Sequence, residues 1–156
     1  MIDVKIKLIP GGMMPQKMSA GAAGYDCYAR EDGGLDGAHG TVEYNFDGEF
    51  DVVVPRIQVP LGFALSLPEG YEAHIRPRSG LGFRNGVHCA FGTIDSDYRG
   101  EVCAVLFNLG SDRFPWNARD RICQLVISPV AFAKLREVDE LDTTGRGALG
   151  FGSTGK

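Results

Sequence analysis

VHCAFGTIDSDYRGEVCAVLF, residues 87–107, reads as two apolar runs, Val87–Phe91 and Val102–Phe107, around a polar centre, Gly92–Glu101. Each run is short and rich in β-branched and aromatic residues, which favours strands on either side of a projecting turn. The turn carries Asp95, Asp97, Tyr98 and Arg99. A carboxylate held in a turn on a rigid scaffold can act as a general base. A calcium loop also begins D-x-D, but it needs further oxygen ligands. Here Arg99 takes the next ligand position and no glutamate closes the loop. A plain polar hairpin turn is the competing reading.

The same β character extends outward in both directions. Ile2, Val4, Ile6 and Leu8 alternate with Asp3, Lys5 and Lys7, the period of a strand with one buried face. Ala22–Ala29 is a short strand with Asp26 inside it; that carboxylate is either on a wet edge or paired and facing a cleft. Glu31–Gly40 reads as an exposed loop. Thr41–Phe46 and Phe50–Val54 flank Asp47-Gly48, a hairpin signal. Ile57–Pro60, Gly62–Leu67 and Tyr71–Arg76 are further strands. Phe114–Asn117 reads as a loop. Asp120–Ile127 is a buried strand carrying Gln124, whose amide satisfies core backbone or points into a site; Pro129 ends it. Ala131–Leu141 suits a partial helix or a final strand equally. No stretch of about 12 residues carries a clear helical stripe, and turn signals recur between strands, so the fold is expected to be all-β, a sandwich or jelly-roll-like barrel.

A chain of 156 residues is one domain with room for a core. The net charge of −4 argues against non-specific nucleic-acid binding. The N-terminus has no continuous apolar region of a signal peptide, and no run is long enough to span a membrane. Cys27, Cys89, Cys103 and Cys123 form no C-x-x-C pair and sit in or beside apolar runs, as buried reduced thiols in a cytoplasmic protein would.

Arg76–Gly82, RPRSGLG, suits an oxyanion: arginine forks onto phosphate, serine donates, and glycine lets backbone approach. Leu81–Asn85 fits one helical turn whose start would face the same anion. The tail TTGRGALGFGSTGK, from Thr143, is glycine-rich yet carries Arg146, Phe151, Ser153 and Thr154. It matches G-x-x-x-x-G-K over 150–156, but that motif requires a preceding strand and a following helix, and with Lys156 the last residue of the sequence a Walker-type fold is not expected. A glycine-rich segment can still cradle phosphates and close as a lid. Phosphate donors beside carboxylates point to a nucleotide with magnesium, and to a phosphoanhydride cleaved by water that a carboxylate such as Asp95 activates.

Five stretches in order, AGYDCYA (23–29), RPRSGLG (76–82), GTIDSDYRGEV (92–102), RDRICQL (119–125) and RGALGFGSTG (146–155), resemble the five motifs of the trimeric dUTPase family. The resemblance implies a distorted jelly-roll-like barrel over 1–142 with one short helical turn, and a flexible arm, 143–156, closing over an active site. It implies a homotrimer whose sites are shared between subunits, dUTP and Mg²⁺ as substrate and cofactor, and cleavage to dUMP and pyrophosphate. By resemblance, Asp95 is the general base and Tyr98 packs under the deoxyribose. Arg78, Ser79, Gly80 and Gln124 contact the phosphates, and Asp26 helps organise the metal region through water. The backbone around Cys89–Thr93 reads uracil. Phe151 stacks on the base, while Arg146, Gly152, Ser153 and Thr154 close the site. The pattern departs at Arg119, where glycine is usual, which alters the turn or adds a charge near the phosphates. It also departs at Cys89, where many members carry asparagine, and at Ala23, where a polar residue is common. About 31–51 reads as an added hairpin, neutral or a docking element for a protein partner. Rival readings are a dCTP deaminase, or a bifunctional deaminase, of the same fold, and a dUTP-sensing regulatory protein.

Overall fold

The computed structural model describes residues 2–38 and 54–149. Eleven strands and one helix lie among them: β1 (Lys5–Leu8), β2 (Tyr25–Tyr28), β3 (Gly33–Leu35), β4 (Arg56–Pro60), β5 (Phe63–Ser66), β6 (Tyr71–Pro77), α1 (Ser79–Asn85), β7 (Val87–Cys89), β8 (Gly92–Ile94), β9 (Cys103–Asn108), β10 (Phe114–Trp116) and β11 (Arg121–Pro129). All pairings are antiparallel. The largest sheet has the order β2-β11-β6-β8, a second β4-β9-β7, and two-stranded ribbons join β1 to β5 and β10 to β3. No sheet closes into a barrel among the described residues, so the architecture is all-β and jelly-roll-like without full closure.

Alternation sets the faces. On β6, Ala73 and Ile75 are buried while Glu72, His74 and Arg76 face outward. On β9, Ala104, Leu106 and Asn108 point in. Phe63, Leu61, Ile75, Leu106 and Ile122 are the largest fully buried apolar side chains. Each contributes about 1.5–3 kcal/mol by leaving water. Asn108, also fully buried, donates from Nδ2 to the Leu35 and Asp112 carbonyls and accepts the Gly110 N–H at Oδ1, so its amide is satisfied.

Three sequence expectations change. Phe114–Trp116 is a strand, and its partner is Gly33–Leu35 within the expected exposed loop. Glycine permits the pairing: a Cβ at Gly33 would overlap the Trp116 indole, whose Nε1 donates to the Glu31 carbonyl at 3.1 Å. Gly92–Ile94 opens the expected turn as strand β8, paired to β6. Residues 131–141 form neither helix nor strand and are exposed throughout, because none of the described residues covers their apolar side chains. The hairpin expected at Asp47-Gly48, with the strands Thr41–Phe46 and Phe50–Val54, lies outside the described residues except for Val54.

Candidate active site

Asp26 sits in β2 directly opposite Gln124 of β11, which in turn faces Arg76 of β6. Its carboxylate is buried. Burial is tolerated because Oδ2 accepts from Arg121 Nη1 at 3.2 Å and lies 3.5 Å from Arg78 Nη2. Arg78 Nη1 also donates to the Arg121 carbonyl at 2.7 Å. Three expected motifs thus meet through one carboxylate and two guanidinium groups. Asp26 is paired and also faces a cleft: with Gly24, Arg76 and Gln124 it lines a cavity of about 510 Å³. Gln124 reaches this cavity because Gly24 has no side chain; a Cβ there would come 2.9 Å from its Oε1.

Helix α1 starts just after Arg78 and leaves Ser79 and Gly80 exposed in its first turn. Gly86 ends it in the left-handed region, φ 68, with its N–H returned to the Gly82 and Leu81 carbonyls. The expected helical turn at Leu81–Asn85 therefore begins two residues earlier.

A second cavity, of about 310 Å³, opens between β8 and β9. Thr93, Asp95, Tyr98 and Glu101 line it. The Asp95–Tyr98 turn is closed by the Tyr98 N–H on the Asp95 carbonyl, and Arg99 Nη1 donates to the Ser96 and Tyr98 carbonyls at 2.7 and 2.8 Å. Asp95 is left exposed on a braced turn. Among the described residues none lines both cavities.

Cys89, from β7, turns into the core with Cys27 and Cys123. Burial pushes its thiol pKa up to about 12, and the Cys123 thiol is raised by its hydrogen bond with Cys27 and by burial. Arg119 adopts φ 74 and keeps the turn, its N–H bonded to the Ala29 carbonyl at 2.8 Å. Arg146 donates to the Leu149 carbonyl within its own turn, and in this chain it joins neither cavity lining. Phe151, Gly152, Ser153 and Thr154 lie outside the described residues. Among the described residues no cluster of three or more His, Cys, Asp or Glu side chains could hold a metal, and no helix is long and apolar enough to cross a membrane.

The sequence reading assigned no role to Arg121, Arg99, Arg30 or Glu101. Arg121, Arg99 and Glu101 stand inside the quoted motifs, but only the fold shows what each holds.

A dUTPase family model matches residues 12–155. The chain is 44% identical to a deoxyuridine 5'-triphosphate nucleotidohydrolase of Wolinella succinogenes, with 97% of this chain and 92% of that one covered. It is 43% identical to one of Zymomonas mobilis, with 99% and 98% covered. Among solved structures, the G164S mutant of a Staphylococcus bacteriophage 80alpha dUTPase with dUpNHpp superposes at a TM-score of 0.83 and 22% identity, covering 99% of both chains. With its motifs in order, its fold matched and near-full-length relatives at this identity, the chain belongs to the dUTPase family.

Proposed function

We propose that this chain hydrolyses dUTP to dUMP and pyrophosphate. The observation that carries the reading is the braced turn presenting Asp95 and Tyr98 to the smaller cavity, in a chain of this family. Asp95 takes a proton from the water that attacks the α-phosphorus, and Tyr98 packs against the deoxyribose. The backbone of β8 and the preceding residues meets the uracil edge. Arg78, Ser79, Gly80 and Gln124 receive the phosphates, where guanidinium groups and backbone donors stabilise charge that builds up during cleavage. The product dUMP suits a supply route to thymidylate, and removal of dUTP keeps uracil out of DNA.

The donor set fits Mg²⁺ carried on the triphosphate. The Asp26 carboxylate is already held by two arginines, so it would act on the ion through water, and magnesium is commonly bound through substrate phosphates. Bound Mg²⁺ would neutralise phosphate charge. A D95N mutant of the dUTPase from phage phi11 of S. aureus, 20% identical to this chain, coordinates a structural Mg(II) ion.

Among the described residues the two cavities share no lining residue, which supports sites completed by other subunits of a homotrimer. Phe132, Leu135 and Leu141 are 78%, 92% and 84% exposed, as expected of a segment that packs on another chain. In this reading 1–142 is the body, and 143–156 is an arm that brings Arg146, Phe151, Gly152, Ser153 and Thr154 to a neighbour's site. Free thiols at all four cysteines support a reducing, cytoplasmic setting.

Pyrophosphate release from dUTP, dCTP, UTP and dTTP, each with magnesium, tests the proposal. Release from dUTP alone is expected, with no ammonia from dCTP. Ammonia release would establish the deaminase rival, and nucleotide binding without turnover would establish the sensing one.

A further inference from the structure

Tyr98 does not hang free in its cavity. Its hydroxyl donates to the Glu101 carbonyl at 3.0 Å, and the ring folds back across Gly100, where a Cβ would overlap the hydroxyl and Cζ. The position of Glu101 is fixed in turn by its own side chain. Both carboxylate oxygens accept from Arg30 Nη1 at 2.9 Å, and Oε1 also accepts the Gly62 N–H at 3.0 Å. The Arg30 and Glu101 side chains are 22% and 24% exposed, so the pair is shielded from much of the solvent. Arg30 is braced from the other side by Glu31, which accepts from Nε at 3.0 Å and Nη2 at 2.7 Å. The hydrogen bonds that Arg30 donates to Glu31, with the Glu101 charge, raise the Arg30 pKa. Arg30 follows β2, Gly62 precedes β5 and Glu101 precedes β9, so three segments converge on one carboxylate.

We propose that the Arg30–Glu101 pair is a specificity-positioning element, which holds the Tyr98 ring as an unyielding wall against a ribose 2′-hydroxyl. The inference rests on the dUTP reading and adds two residues to it. A steric wall discriminates only as far as it resists displacement, so rejection of one added oxygen depends on what anchors the wall. Tyr98 is 44% exposed, and packing alone does not immobilise it. The chain Arg30 to Glu101 to Tyr98 supplies the anchor.

The test is kcat/KM for dUTP and UTP, by pyrophosphate release from the full-length chain with magnesium, in Arg30→Met, Glu101→Gln, their double variant and Tyr98→Phe. Tyr98→Phe removes only the hydroxyl anchor and leaves the ring. Each single change is expected to lower the dUTP/UTP ratio about tenfold, the scale of one coupled hydrogen bond. Combining changes should lower the ratio little further, and Arg30→Lys should restore part of it. A merely structural pair would lower Tm and leave the ratio unchanged. Where Glu101→Gln fails to fold, Tyr98→Phe decides. Wild-type turnover of dUTP with an unchanged ratio in Tyr98→Phe and Arg30→Met overturns the anchor alone. Absence of dUTP turnover by the wild type overturns the function as well.

Discussion

Asp26 is 5% exposed, and its carboxylate lies 3.2 Å from Arg121 Nη1, joining β2 to the start of β11 beside the larger cavity. Arg78 leans on the same oxygen. Replacing Asp26 with asparagine keeps the shape and removes the charge that holds two guanidinium groups together. Arg121 is nearly half exposed, so water screens part of the loss, and a destabilisation of about 1–3 kcal/mol is expected. Denaturant unfolding of Asp26→Asn against the wild type measures it; a midpoint shift at constant slope is the expected form.

Asp95 lies at the mouth of the smaller cavity on a turn braced by Arg99. Because the brace uses the arginine and backbone carbonyls, Asp95→Asn leaves the turn intact. Its kcat on dUTP should fall by about a hundredfold or more, the usual share of a general base. Nucleotide affinity, read by calorimetry with a non-hydrolysable dUTP analogue, should change little. An equal loss in affinity would assign Asp95 to binding instead.

The strands of the larger sheets were legible because their residues alternate. Tyr71–Arg76 reads correctly since Ala73 and Ile75 must face the core that Leu125 and Ile127 help to form. The β3–β10 ribbon was not legible. Gly33, Gly34 and Pro115 carry turn chemistry, and what pairs them is Trp116 lying over a glycine far away in the chain. At the site, the motifs pointed to candidate residues, but Asp26 could have been wet or paired. Only the fold brings Arg78 and Arg121 to it. The anchor at Glu101 was hidden for the same reason, since Arg30 and Gly62 approach from distant segments.

Arg119 occupies the left-handed region at φ 74, where a residue with a Cβ costs about 1–2 kcal/mol. The turn holds it there through the Asp120 N–H on the Asn117 carbonyl and the Asn117 N–H on Asp120 Oδ2. Arg119→Gly relieves the strain but enlarges the freedom of the unfolded chain. The balance is a gain of about 1 kcal/mol, or roughly 2–4 °C in Tm for a chain this size. A melt that shows no gain would mean the arginine side chain itself stabilises the turn.

Residues 131–149 are exposed throughout, so they add nothing to the core of their own chain. Removing everything after Thr144 should leave the Tm of the body unchanged. Activity should drop on the order of a hundredfold, the cost of losing groups that position a substrate. Melting and pyrophosphate release on the same preparation check both. Full activity in the shortened chain would show that the tail is no lid.

Three thiols, Cys27, Cys89 and Cys123, are buried, and Cys103 is half-buried. In the folded protein at pH 8 a thiol-specific disulfide reagent should label at most Cys103 quickly, and all four after denaturation. The same burial sets an alkaline limit. Burial pushes the Cys89 thiol from its ordinary value of 9.0 up to about 12 in the folded protein. The unfolded chain therefore gives up a proton that the folded chain keeps. The contribution is fully present below pH 9 and is lost as pH rises from 9 towards 12, at up to about 1.4 kcal/mol per pH unit for one thiol. Cys123, raised in the same direction, steepens the fall. Unfolding free energies at pH 8 and pH 10 should differ less in Cys89→Ala than in the wild type, because only the Cys89 thiol distinguishes the two proteins. An identical pH dependence in the two proteins would mean that the Cys89 thiol ionises alike in the folded and unfolded states.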